Sequence, residues 1–216
     1  FREFPFVAFR YDHAFPFAIA VKKDGTITYN ENEYLREEEI RKLADWKDMV
    51  AISRSDSHIV GLKSDGTVVA FGENGDGQCD VRQWKDIAAI TTGYSSAYGS
   101  YTLGLRTDRT LVATRATPWR EEIQQWRDIV SVARGDDHVI GLKADGTVVA
   151  AGDNEYGQCD TNTLPWHNIK SIACGYQHTV GLRADGCVTA TGYPFADSCE
   201  VCGPEWQDIT AIACGF

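Results

Sequence analysis

Uninterrupted apolar sequence is scarce in this 216-residue chain. No run approaches the roughly 18 to 20 residues that a membrane-spanning helix needs, because charged and turn residues break every hydrophobic stretch. A membrane role through helices is therefore excluded. Basic residues are also short: 21 Lys and Arg stand against 31 Asp and Glu, for a net charge of -10. Such a balance repels phosphate backbones unless the few cations gather on one face, so nucleic acid is a disfavoured partner and a protein with a basic surface a favoured one. The opening Phe1-Arg2-Glu3-Phe4-Pro5-Phe6-Val7 lacks a basic segment, a sustained apolar core and a small-residue cleavage site, so it is not a signal peptide. Seven cysteines form an odd set, leaving at least one free or paired between chains. Both features tilt the expectation toward a reducing cytoplasm, but a processed secreted chain would also lack its signal and the compartment stays open.

What is present is repetition. A Trp-x-Asp/Asn step followed by a β-branched run begins at Trp46, Trp84, Trp126, Trp166 and Trp206, at spacings of 38, 42, 40 and 40 residues. In a second register, Gly61-Leu62-Lys63-Ser64-Asp65-Gly66-Thr67 recurs from Gly141 and Gly181, with weaker copies at Ala20–Thr26 and Gly104–Thr110. Asp-Gly between apolar runs predicts a tight two-residue hairpin turn, since both residues tolerate positive φ. Arg109 replaces the Gly in the third copy, so that turn is expected to be strained, altered or wider. Along one hairpin arm His178, Val180 and Leu182 alternate with Thr179, Gly181 and Arg183, which predicts one core face and one that packs closely or meets solvent. Three strands per repeat are legible, with a short fourth expected after the loop Asp153–Gln158. Units this small bury their faces only by stacking on neighbours, and radial stacking of small antiparallel sheets is a β-propeller. Asn32–Trp46, rich in Glu, Arg and Leu, predicts a short surface helix near 33–45 in place of a loop; a solvated charged insertion fits as well.

These motifs resemble the regulator-of-chromosome-condensation repeat family, and within it the short bacterial type. The resemblance rests on Gly175-Tyr176-Gln177-His178-Thr179-Val180-Gly181-Leu182, then Asp185-Gly186, and on the run Val148–Gln158. It covers nearly all of residues 47–216 and more loosely residues 7–30. It implies an all-β propeller domain over residues 1–216, with about five blades visible of a ring that relatives close at six or seven. On that reading the chain is a piece of a larger array, and open blade edges invite self-association. Relatives include a nucleotide-exchange factor for a small GTPase, ubiquitin-ligase components and a secreted inhibitor of β-lactamase.

No constellation points to catalysis. His58, His138 and His178 share one repeat position, but equivalent positions in stacked sheets lie near 10 Å apart, too far to share one metal ion with bonds near 2 Å. Hydrogen-bonded structural histidines are expected instead, and His13 and His167 fall outside the register. Cys199-Glu200-Val201-Cys202 has the spacing of half a zinc site or a redox pair, yet no second such pair exists. Cys174, Cys187 and Cys214 would have to converge to complete one, so free structural thiols are expected ahead of a local disulfide or a metal. Asp136-Asp137 and Glu37-Glu38-Glu39 lack calcium-loop spacing, no nucleophile has a base beside it, and no phosphate-binding Gly loop ends in Lys-Ser/Thr. No cofactor or metal is predicted.

The loops are more informative. Tyr94, Asp136, Asp137, Tyr176 and Phe216 follow the Gly where one strand-connecting loop turns, and Tyr156 lies in the other loop. Trp119 sits in the divergent stretch 114–119, where the usual Gly-Asn-Gly-Gln loop is missing. In the inhibitor branch, as the resemblance implies, such aromatic and acidic residues gather on one rim and contact a protein, and aromatics dominate interface hot spots. The candidate partner-binding set is therefore Tyr94, Trp119, Asp136, Asp137, Tyr156 and Tyr176. The other reading has Tyr94 and Tyr176 capping a neighbouring blade and Trp119 marking a decayed repeat. The expected function is non-enzymatic protein recognition through one loop rim, with GTPase nucleotide exchange or a purely architectural role as the alternatives.

Overall fold

The computed structural model describes residues 7–10, 17–30, 37–95, 99–114, 117, 119–162, 166–201 and 208–214. His13, Cys202, Trp206, Phe216 and the first part of the predicted helix lie outside them. The chain forms two compact units: residues 1–94, 98–107 and 112–117, and residues 95–97, 108–111 and 118–216.

The first unit holds three antiparallel sheets, each a meander in chain order. They are β1 (Val7–Arg10), β2 (Phe17–Val21) and β3 (Ile27–Tyr29); β4 (Met49–Arg54), β5 (His58–Lys63) and β6 (Val68–Gly72); and β7 (Ile87–Ser95), β8 (Gly99–Arg106) and β9 (Leu111–Ala113), of which Ser95 and Leu111 fall in the second unit. Helix α1 (Glu37–Ala44) lies where a surface helix was expected. Glu37 pairs with Arg41 and Glu38 with Lys42 on its exposed side, and Leu43 enters a cluster with Ile19, Ile52, Ile59 and Phe71.

The second unit holds α2 (Arg120–Ile123) and two sheets: β10 (Ile129–Arg134), β11 (His138–Lys143) and β12 (Val148–Gly152); and β13 (Ile169–Cys174), β14 (His178–Arg183), β15 (Val188–Gly192) and β16 (Phe195–Val201). Among the described residues a fourth strand follows Tyr193-Pro194 and none follows Asp153–Gln158 before β13. That loop spends its backbone groups on internal turns, with Gly157 N–H donating to Asn154 and Asp160 N–H to Gly157.

The repeat has a physical cause at each marker. The marker Trp presses against the Gly opposite: a Cβ at Gly61, Gly104, Gly141 or Gly181 would sit 2.6, 2.9, 2.9 or 2.7 Å from Trp46, Trp84, Trp126 or Trp166. The third marker residue is left-handed in every copy, with φ of 61° at Asp48, 56° at Asp86, 62° at Asp128, 53° at Asn168 and 57° at Asp208. Asp and Asn tolerate that conformation best among residues with a side chain, which explains their selection there. It lets the next strand begin beneath the preceding hairpin turn, where Met49, Ile87, Ile129 and Ile169 donate their N–H to the carbonyls of Gly25, Gly66, Arg109 and Gly146 at 3.0–3.1 Å.

The hairpin turn differs from the two-residue form. Gly66 N–H donates to Lys63 O at 3.0 Å and Lys63 N–H to Thr67 O at 2.9 Å, so Ser64, Asp65 and Gly66 form a three-residue loop with Gly66 left-handed at φ 78°. Asp65 fixes it by accepting from Thr67 N–H at 2.9 Å and Thr67 Oγ1 at 2.6 Å, and these bonds hold its carboxyl below the usual range. Arg109 takes φ 66° at the Gly position while Asp108 and Thr110 keep the same bonds, so that turn is strained but neither altered nor wider.

The middle strands resolve the alternation to a core face opposite a closely packed one. His58–Leu62 and His138–Leu142 are buried at every position, because each middle strand has a hydrogen-bonded strand on both sides and packing on both faces. Cores such as Val60, Leu62, Val68, Val81, Trp84 and Ile87 span successive repeats within one unit.

Candidate functional site

Two of the three repeated histidines, His58 and His138, are locks between neighbouring repeats. In the first unit His58 Nε2 lies 2.8 Å from Thr102 Oγ1, which donates to Gln78 O at 2.8 Å. The hydroxyl proton is thus committed, so Nε2 carries the imidazole proton and Nδ1 accepts from Ser55 Oγ at 2.6 Å. The second unit repeats the device: His138 Nε2 lies 3.0 Å from Thr179 Oγ1, which donates to Gln158 O at 2.8 Å. There Gly135 stands where Ser55 stood, and His138 Nδ1 has no partner. Burial lowers both pKa values to about 4. No group of three or more metal-capable side chains occurs among the described residues.

The two Gly-Gln-Cys-Asp loops are internally bonded. Asn74 accepts from Cys79 N–H at 2.7 Å and donates to Asp80 at 2.9 Å, while buried Gln78 accepts from Asp76 N–H at 3.0 Å. Asn154, Cys159, Asp160, Gln158 and Tyr156 N–H repeat those bonds at 2.7, 2.9 and 2.9 Å. The thiols are consumed too: Cys79 and Cys159 donate to Glu73 O and Asp153 O at 3.3 Å, and desolvation pushes them up to about 11 and about 12. Neither is a thiolate nucleophile. Cys79, Cys159, Cys174 and Cys214 are free, as expected, whereas Cys187 is disulfide-bonded. Free thiols were the expectation for the whole set, and repeat descent explains only the pairs Cys79/Cys159 and Cys174/Cys214; Cys187 stands alone in its register, in place of a Thr.

Against this bonded background, one set of loops in the second unit presents aromatic rings. Asp137 O accepts from Asp153 N–H at 2.7 Å, Tyr176 O from Asp136 N–H at 3.4 Å, and Gln177 O from Tyr193 N–H at 2.9 Å. Thr191 Oγ1 donates to Gly157 O at 2.8 Å. These bonds draw the loops at 135–137, 153–157, 176–177 and 192–194 to one end of the two sheets. Tyr156 is 43% exposed, Tyr176 49% and Tyr193 63%. Tyr156 and Tyr193 meet edge to face, with centroids 6.0 Å apart and planes at 69°. Asp136 and Asp137 are half-buried beside them. Trp119, also half-buried, lies beneath, its Cε2 3.0 Å from where a Cβ on Gly152 would be. Five of the six candidate residues therefore share this end. Tyr94 stands on β7 of the first unit, 45% exposed.

Sequence reasoning missed Tyr193. Its signal was Tyr193-Pro194 replacing the Asp-Asn-x-x-Gly-Gln loop after β15, a place where a turn tip with an aromatic ring has no repeat duty.

Residues 49–78, 129–158 and 169–195 match the regulator of chromosome condensation (RCC1) repeat. Among solved structures the chain is similar to yeast RCC1 (Prp20), crystallised with Kap60, with a TM-score of 0.65 at 17% identity over 92% of this chain and 62% of that one. Human WBSCR16 gives 0.63 at 14% identity over 86% and 64%, and the ectodomain of the Physcomitrella patens receptor kinase CR4 gives 0.56 at 14% over 97% and 68%. The chain thus spans a little under two thirds of the first two. No curated protein matches it by sequence. Three of the repeats match the RCC1 repeat, and the fold is that of the RCC1 β-propeller.

Proposed function

We propose that this RCC1-repeat β-propeller is a non-enzymatic scaffold that recognises a protein partner through the loop end bearing Tyr156, Tyr176 and Tyr193. The observation that carries this reading is the contrast within that end. Asn154, Gln158, Cys159 and Asp160 are fully engaged in shaping the loop, while the three rings are left in solvent. Exposed tyrosines on a rigid frame offer large contact area at low entropy cost. Related propellers support a protein partner: the yeast protein is known bound to Kap60 and for its binding to Gsp1p and histones. The chain's net charge of -10 favours a basic partner surface.

The test is site-specific photo-crosslinking from position 176 in the expressing cell, followed by purification of the captured protein and titration against the wild type and a Tyr156→Ala/Tyr176→Ala/Tyr193→Ala variant. We expect at least about a hundredfold loss of affinity with an unchanged melting temperature. Equal affinity for the two would overturn the reading. Accelerated nucleotide release from a captured GTPase would move the function to exchange.

A further inference from the structure

Resting on that reading, we propose that the corner formed by Tyr156 and Tyr193 seats an arginine side chain of the protein partner. Two rings at 69° with centroids 6.0 Å apart form an open angle, and both are substantially exposed. A guanidinium stacks its plane on one ring face while its N–H groups, lying in that plane, still reach carboxylates at the side; an ammonium cannot do both.

Acidic residues outnumber basic ones around the corner. The loop segments 135–137, 153–157, 176–177 and 192–194 contain Asp136, Asp137, Asp153 and Glu155 and no Lys or Arg. Asp153 is held in place by neutral donors, Gln158 Nε2 at 2.9 Å and Glu155 N–H at 3.3 Å, which position the carboxylate and leave its charge uncancelled. The adjoining Arg134 directs Nη1 to Gly135 O at 3.3 Å. An aromatic corner with surplus negative charge beside it complements a flat cation.

The backbone beneath the corner is also held by hydrogen bonds, which favours a stacking site. Tyr156 N–H is fixed by Gln158 Oε1 at 2.9 Å and Tyr193 N–H by Gln177 O at 2.9 Å, and Thr191 ties the two loops together through Gly157 O. At the equivalent turn of the first unit Asp76 stands in the place of Tyr156 and bonds Ser100 N–H at 3.2 Å.

Random peptides displayed on phage and selected on the full chain provide the test, with counter-selection on a Tyr156→Ala/Tyr193→Ala variant. Both side chains are exposed, and an unchanged melting temperature confirms that the variant folds. Peptides lost on the variant are expected to share an arginine. Replacing it by citrulline, which keeps the shape and removes the charge, should weaken binding about tenfold or more, and lysine should weaken it about threefold. Tyrosine-dependent peptides that lack arginine, or that bind equally well with citrulline, would overturn the arginine seat while leaving protein recognition by this end intact. Failure to select any peptide that depends on these tyrosines would overturn both.

Discussion

The loops Glu73–Asp80 and Asp153–Asp160 are built on the same bonds and put to different uses. Both lock an Asn to the Cys N–H and Asp carboxylate beyond it, and both bury a Gln under the turn. They part at the turn tip. Asp76 reaches across to cap Ser100 N–H in the next repeat, whereas Tyr156 packs edge to face on Tyr193 and is exposed. The same two repeats differ beneath the loops, where His58 has Ser55 on Nδ1 and His138 has nothing. A repeat therefore separates positions that make the fold from positions free to vary, and the free ones in the second unit hold the aromatic corner.

Acid should produce the largest effect on this pair. His58 and His138 titrate near 4 when folded and near 6.5 when unfolded, so between those values the unfolded chain binds the extra protons. Stability is full above pH 6.5, falls as pH drops toward 4 and then levels, with roughly 3 kcal/mol lost per histidine. At His138, Asp137 and Asp153 oppose the depression, while His178 and burial enforce it. Urea unfolding across that window should show it, and His138→Gln, which keeps a donor for Thr179, should halve the loss. An undiminished loss would place the acid sensitivity elsewhere.

Next in size are the hydroxyls that the histidines share. Thr102→Val and Thr179→Val each strand a buried imidazole N–H and a Gln carbonyl, for about 2–3 kcal/mol by denaturant unfolding. Ser55→Ala should cost about 1 kcal/mol, since it converts the first lock into the arrangement His138 already tolerates. A Ser55→Ala cost equal to that of Thr102→Val would mean the two locks are not equivalent.

Much of this was legible in the sequence, and what was not has identifiable causes. The Trp-x-Asp/Asn step reports a ring pressed against a glycine and a left-handed residue, both of which restrict residue choice strongly enough to recur. Asp-Gly reports a left-handed glycine but fits two- and three-residue loops alike; the deciding residue was Thr67, whose bonds to Asp65 close the wider form. The burial of both faces of β5 and β11 comes from neighbouring repeats and leaves alternation intact in the sequence. Tyr193 and the bridge at Cys187 occur in one repeat only, so periodicity was silent about them.

At the turn tips, Asp76→Ala should cost about 1 kcal/mol by removing the cap on Ser100, whereas Tyr156→Ala should change stability by less than about 0.5 kcal/mol. Their effects on partner affinity should rank the other way. If Tyr156→Ala proved the more destabilising, the ring would be part of the fold and the aromatic end would lose its main claim to function.

The smallest effect separates the two kinds of turn residue. Arg109 occupies φ 66° where Gly66 and Gly146 sit at 78° and 82°, with the hydrogen bonds of the turn unchanged. A left-handed residue with a Cβ costs about 1 kcal/mol, and glycine returns part of that through the larger entropy of its unfolded chain. Arg109→Gly should therefore stabilise the protein by only about 0.5 kcal/mol, and Gly146→Arg should destabilise it by a similar amount. Thermal unfolding of both variants tests that symmetry. A loss of stability in Arg109→Gly would show that the Arg109 side chain contributes a contact of its own, and that this turn departs from the repeat by more than strain.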